Sequence, residues 1–151
     1  RQLLHGYVHD EIAAWSGGVE GNAGLFSNAT DLAKILQLML DNGKYEGQQI
    51  ISEETCKLFT TTKSNKTRRG LGFDKPDMKV PAKSPCAEEV SGSVYGHTGY
   101  TGTCFWVDPT NRMIYIFLCN RICPSRTNRT LMTGDYRTRI QSVLYNRLVE
   151  K

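Results

Sequence analysis

The chain lacks any apolar run long enough to cross a membrane. Its longest, Met113 to Cys119, is strand-sized, whereas a spanning helix needs roughly 20 residues. A cysteine framework is lacking too. Cys56, Cys86, Cys104, Cys119 and Cys123 are odd in number and irregularly spaced, which argues against a disulfide scaffold. Cys104 and Cys119 lie in apolar runs and read as small buried hydrophobes. Charge of one sign is in small excess: 19 Lys and Arg against 15 Asp and Glu give +4. The basic residues gather at Lys63, Lys66, Arg68 and Arg69, and again between Arg121 and Arg147. Neither a helix-turn-helix nor an aromatic-and-basic RNA-binding pattern accompanies the second cluster, so both read as solvated faces and no nucleic-acid partner is expected. The start, Arg1 to Gly6, has neither an initiating Met nor the apolar core of a signal peptide. The chain is therefore expected to be part of something longer, with no leader to assign its compartment.

What remains is ordinary globular composition: 151 residues, 39% hydrophobic, 23% charged and 9% aromatic. A single domain of that size buries about 68 to 70% of its unfolded surface. Neither repeats nor low-complexity segments interrupt it. Asn28 reads as a helix cap, with Asp31 in the first turn and Leu32, Ile35, Leu36 and Met39 as one apolar stripe closed by Gly43. A second helix is expected from Ser52 towards Phe59. Residues Thr60–Gly70, and Lys75–Gly92 with Pro76, Pro81 and Pro85, read as loops.

Three strands are expected: Leu71–Phe73, Thr103–Val107 and Met113–Cys119. The last two should form an antiparallel hairpin through Asp108-Pro109-Thr110-Asn111. Met113 to Leu118 is almost continuously apolar, which predicts cover on both faces. A final helix capped by Asp135 is expected to supply cover with Ile140, Val143, Leu144 and Leu148, its Arg137, Arg139 and Arg147 facing away. The fold class is α+β, an antiparallel sheet flanked by helices.

Two glycine-rich stretches carry the functional signal. Gly17 to Ser27 holds four glycines just before a helix, but lacks the Lys-Ser/Thr ending of a phosphate-binding loop, so it reads as a tight turn. Gly96-His97-Thr98-Gly99-Tyr100 leads into the hairpin, and glycine there implies that a backbone or a ligand comes close. An imidazole, a hydroxyl and a bare backbone in succession would suit a carboxylate, or an extended peptide docking on a sheet edge. His5 with His9, and Cys119 with Cys123, are each four apart and could together ligate zinc. Nothing in the sequence brings the two pairs together, and no metal or cofactor is expected.

Gly96-His97-Thr98-Gly99, followed by Trp106-Val107-Asp108-Pro109, resembles the third motif of the serine β-lactamase and penicillin-binding-protein superfamily in its Lys-to-His variant. Gly6 to Glu11, Gly17 to Ser27, Arg69 to Asp74 and Phe117 to Arg121 are similar to segments of its esterase-type branch. The combination looks most like the domains fused behind family 3 glycoside hydrolases, and it covers roughly residues 6 to 148. The resemblance implies a partial β-lactamase/transpeptidase-like fold: the end of a helical region over residues 1–62, sheet strands over 70–121, and a C-terminal helix over 133–149. It implies roles as well. His97 would replace the lysine that tunes the field around the nucleophile, and Thr98 would offer a hydroxyl to a substrate carboxylate. Gly99 would keep the strand open, and the Tyr100 amide would be one oxyanion donor.

The chain departs from that family in one respect. The superfamily's reaction uses a Ser-x-x-Lys nucleophile and a Tyr or Ser in a second motif. No serine here has Lys three residues later, and no tyrosine has Asn or Ser two later. Thr60-Thr61-Thr62-Lys63 only mimics the spacing, in surroundings that read as loop. The expectation is the back portion of an ester, amide or D-amino-acid peptide hydrolase, cell-wall related and outside the cytoplasm. Alone it would be inactive, lacking the N-terminal part of its own domain and prone to self-association through an exposed sheet edge. The competing expectation is a non-catalytic peptide- or glycan-binding module of a larger glycosidase.

Overall fold

The computed structural model describes residues 4–148. Helices α1 (Glu11–Trp15) and α2 (Ala29–Leu40) lead to a short hairpin, β1 (Lys44–Tyr45) and β2 (Gln48–Gln49), and then to α3 (Glu53–Thr61). After a long connection come β3 (Tyr95–Thr98), β4 (Cys104–Asp108) and β5 (Met113–Phe117), followed by α4 (Thr130–Thr133) and α5 (Tyr136–Leu148).

The helices start where the sequence places a short polar side chain. Asn28 accepts from the Asp31 amide at 3.0 Å, and Ser52 accepts from the Thr55 amide at 3.1 Å, each satisfying a first-turn N–H that has no partner within the helix. Past the end of α2, Gly43 adopts φ 85° and donates to the Leu38 carbonyl at 2.8 Å. A Cβ there would sit 1.9 Å from the Ile51 carbonyl oxygen, so only glycine closes this turn.

Strands β3, β4 and β5 form an antiparallel sheet in the order β3-β4-β5, separate from the β1-β2 hairpin, with His97 opposite Phe105 and Trp106 opposite Tyr115. Because side chains alternate, the register puts Tyr95, His97, Phe105, Val107, Ile114 and Ile116 on one face. Leu36 and Leu40 of α2 cover that face, with Met39 and Phe73 beside them. On the other face Cys104, Trp106 and Tyr115 pack with Cys86, Ala87, Val90 and Val94, closed by Tyr145 and Leu144 of α5. The hairpin's apolar run is thus covered from both sides, by α2 as well as by the terminal helix.

Several expectations need correction. Leu71–Phe73 is not a strand: Gly72 has φ 75°, and the pairing shrinks to one bridge between Asp74 and Gly96. Thr60 and Thr61 end α3 instead of opening a loop, and the Thr60 hydroxyl donates to the Cys56 carbonyl at 2.8 Å. On α2 Ile35 faces out while Leu40 faces in. The inward row of α5 is rotated. Gln141 and Tyr145 are buried, whereas Ile140, Val143 and Leu148 are exposed. Asp135 stands before that helix with φ 49°, and its carbonyl accepts from the Arg139 amide at 3.0 Å.

Candidate active site

Gly96 sets the geometry of the Gly-His-Thr-Gly strand. A Cβ at this position would lie 2.0 Å from the Phe105 carbonyl and 2.5 Å from a Trp106 ring carbon. On the side away from β4 its backbone is zipped to Asp74 in both directions, at 2.7 and 3.1 Å. Backbone groups alternate along a strand, so those of Thr98 face the same side, beyond the end of the Asp74 bridge. The edge is therefore closed at Gly96 and opens at Thr98.

Past Thr98 the chain turns tightly. The Gly99 amide donates to the Thr103 carbonyl at 2.8 Å, and Gly102 turns with φ 109°. Tyr100 stands exposed between His9, stacked on its ring at 5.6 Å and 12°, and Arg121, whose guanidinium lies over the ring at 4.7 Å. Arg121 also donates from Nε to the Tyr100 carbonyl at 2.9 Å and from Nη1 to the carbonyls of Arg126 and Asn128. It pins the turn. Arg137 of α5 donates from Nη1 to the carbonyls of Gly102 and Thr103, at 3.4 Å each. Thr98, Gly99, Tyr100, Arg121, Met132 and Arg137 line an open cleft of about 240 Å³. Among the described residues no hydrogen bond engages the Thr98 hydroxyl or the Tyr100 amide.

The four residues singled out from sequence are consecutive, and three of them line this cleft. His97 lies on the opposite face, where Arg69 Nη1 meets its Nε2 and the Thr98 carbonyl lies 2.9 Å from its Nδ1. Arg69 Nη2 is 3.7 Å from an oxygen of Asp74, a fully buried carboxylate that also takes a 3.0 Å hydrogen bond from Arg68. The sequence gives no site role to Arg69, Asp74 or Arg137. Arg137 does not face away as expected; its partial burial and its bonds to the turn come from the rotation of α5.

Chemically, the cleft offers donors: a hydroxyl, an amide and two guanidinium groups. That set suits a carboxylate or an oxyanion. It holds no paired nucleophile and base. In a second cleft of about 240 Å³, beside Ser84, Cys86 and Glu88, the Ser142 hydroxyl donates to the Glu89 carboxylate. Burial pushes the Cys86 thiol up to about 11, the reverse of an activated cysteine.

A family model described as Beta-lactamase matches residues 2–132. In Escherichia coli (strain K12), a protein named "Putative D-alanyl-D-alanine carboxypeptidase" is 42% identical over 119 residues, 78% of this chain and 27% of that protein. A protein of the same name in Escherichia coli O157:H7 is 43% identical over 117 residues, 77% of this chain and 27% of its own length. One from Salmonella paratyphi B is 39% identical over 119 residues, again 78% and 27%. The chain thus spans about a quarter of the length of the curated relatives it matches.

Proposed function

The chain belongs to the beta-lactamase family, and from that premise we propose that it forms the third-motif wall of a serine hydrolase that cleaves peptides ending in a D-amino acid, cell-wall related and outside the cytoplasm. The nucleophilic serine comes from outside residues 1–151, because no serine of this chain precedes a lysine by three. In the reaction that serine attacks the penultimate carbonyl. The terminal amino acid leaves with a proton, and water then releases the acyl group. The Tyr100 amide and the amide of the nucleophile hold the developing oxyanion. The Thr98 hydroxyl and the free donors of Arg137 hold the substrate's terminal carboxylate. Gly99 leaves the strand edge open to it.

One observation carries this reading: the Thr98 hydroxyl and the Tyr100 amide stand unbonded in a cleft shared with two arginines. The names of the relatives support the choice of substrate class. The test is D-alanine release from a tripeptide ending in D-Ala-D-Ala by the native protein that carries this chain. Amidating the peptide's terminal carboxyl should raise KM by about 10- to 100-fold, the value of a charge-assisted hydrogen bond. The Thr98→Val and Arg137→Leu variants should each lose most of that discrimination. No D-alanine release and no covalent adduct with a penicillin would overturn the reading, and retained binding of the peptide would then favour a module without chemistry.

A further inference from the structure

A guanidinium has donors only. Arg69 Nη1 meets Nε2 of His97, so Nε2 must present its lone pair. The other ring nitrogen, Nδ1, lies 2.9 Å from the Thr98 carbonyl oxygen, which only accepts. A donor on one side and an acceptor on the other suit a ring that accepts at Nε2 and donates from Nδ1.

We propose that Arg69 is a positioning residue that locks His97 as the neutral Nδ1–H tautomer and supplies the fixed positive charge beside the Gly-His-Thr-Gly strand. The charge balance fits. Asp74 is fully buried and carries one negative charge between Arg68 and Arg69. Arg68 is the nearer partner, with Nη2 at 3.0 Å from one carboxylate oxygen and Nε at 2.8 Å from the other. Arg69 stands 3.7 Å away and reaches on to the imidazole. The cluster of one carboxylate and two guanidinium groups thus keeps a net positive charge at its His97 end. Its position is fixed as well. The Lys75 amide donates to Asp74 at 2.9 Å, and the Asp74 backbone is zipped to Gly96, the residue before His97. Any shift of the strand would carry the cluster with it.

The role of this charge in acyl transfer rests on the function proposed above; the tautomer does not. The two are tested separately. The intact protein is labelled with 15N-histidine, and the His97 signal is identified as the one lost in His97→Gln. Long-range proton–nitrogen correlation at neutral pH should show a neutral Nδ1–H ring. Arg69→Met removes the donor and should move His97 to the Nε2–H form that free imidazole prefers, or to a mixture. Arg69→Lys keeps a donor and should restore the wild-type pattern. A protonated or Nε2–H ring in the wild type overturns the inference even if Arg69→Met fails to fold, as does an unchanged ring in Arg69→Met. Acylation of the same proteins by a fluorescent penicillin should slow by about tenfold in Arg69→Met, the order of one lost electrostatic contribution to the transition state. Arg69→Lys should keep most of the rate. Absence of any acylation in the wild type would count against the proposed function and leave the nuclear magnetic resonance result to decide the tautomer.

Discussion

At the scale of single residues, the strongest structural commitment is Asp108. Its carboxylate is 1% exposed and accepts from the Tyr145 hydroxyl at 2.8 Å, the Thr110 amide at 2.9 Å and Asn111 Nδ2 at 2.8 Å. The same bonds hold the β4–β5 turn and the foot of α5. Asp108→Ala leaves those donors orphaned and should cost about 3 kcal/mol, while Tyr145→Phe should cost about 1 kcal/mol. Urea denaturation midpoints measure both, and equal losses would refute the assignment of Asp108 as the hub. The buried cysteines set a pH dependence. Burial pushes the thiols of both Cys86 and Cys104 up to about 11. An unfolded thiol releases its proton near about 8.5, so between these values the unfolded state binds fewer protons and stability falls as pH rises. Burial lowers the Lys75 value, which acts the other way. Cys104→Ala should therefore flatten the fall in urea midpoint between about pH 8.5 and about pH 11.

His97, Thr98, Gly99 and Tyr100 were legible in the sequence because they are consecutive and their residue types are unusual inside a strand. Arg69 and Asp74 were legible only as part of a matched segment. Their role depends on a bridge between residues 22 positions apart, Asp74 and Gly96, which no local pattern encodes.

At the scale of elements, local chemistry dictated starts and turns better than faces. The cap at Asn28 and the hairpin through Pro109 could be read from residue types alone. Asn28→Ala should lower stability by about 1 kcal/mol, the usual value of a lost cap, and thermal unfolding would show it. The face of α5 departs from its apolar pattern because a residue's hydropathy does not say which side a helix presents. Gln141 faces in because its Oε1 accepts from the Ala87 amide at 2.9 Å, and Arg137 because it bonds the turn after β3. Gly96→Ala tests the tight packing of β3 on β4. Its Cβ has no room against Phe105 and Trp106, so it should destabilise by about 1 to 3 kcal/mol or more. Ready accommodation, with an unchanged urea midpoint, would show that the strand is not held as described.

At the scale of the whole molecule, the notable feature is uncovered apolar surface. Tyr7, Ile12, Trp15, Val19, Leu25 and Phe26 of the N-terminal stretch are exposed, as are Ile140, Val143 and Leu148 on the outer face of α5. Among the described residues β5 pairs only with β4, which leaves its outer edge free to template another strand. The isolated chain should therefore self-associate, and gel filtration across a range of concentrations should show the apparent mass rising with concentration. A constant monomer mass would mean that this surface is harmless in water. Activity was the least legible property, since no serine of this sequence precedes a lysine by three and the proposed reaction takes its nucleophile from outside residues 1–151.

The central proposal is that residues 98–100 line an acyl-transfer site whose nucleophile lies elsewhere, with His97 behind them on the other face of the strand. Its most direct test is peptide mapping of a serine-directed fluorophosphonate on the native protein that carries this chain. The account predicts a single labelled serine, in a Ser-x-x-Lys segment outside residues 1–151, and no label on the isolated chain. Label on a residue within 1–151, or a native protein that takes up no label, would contradict it.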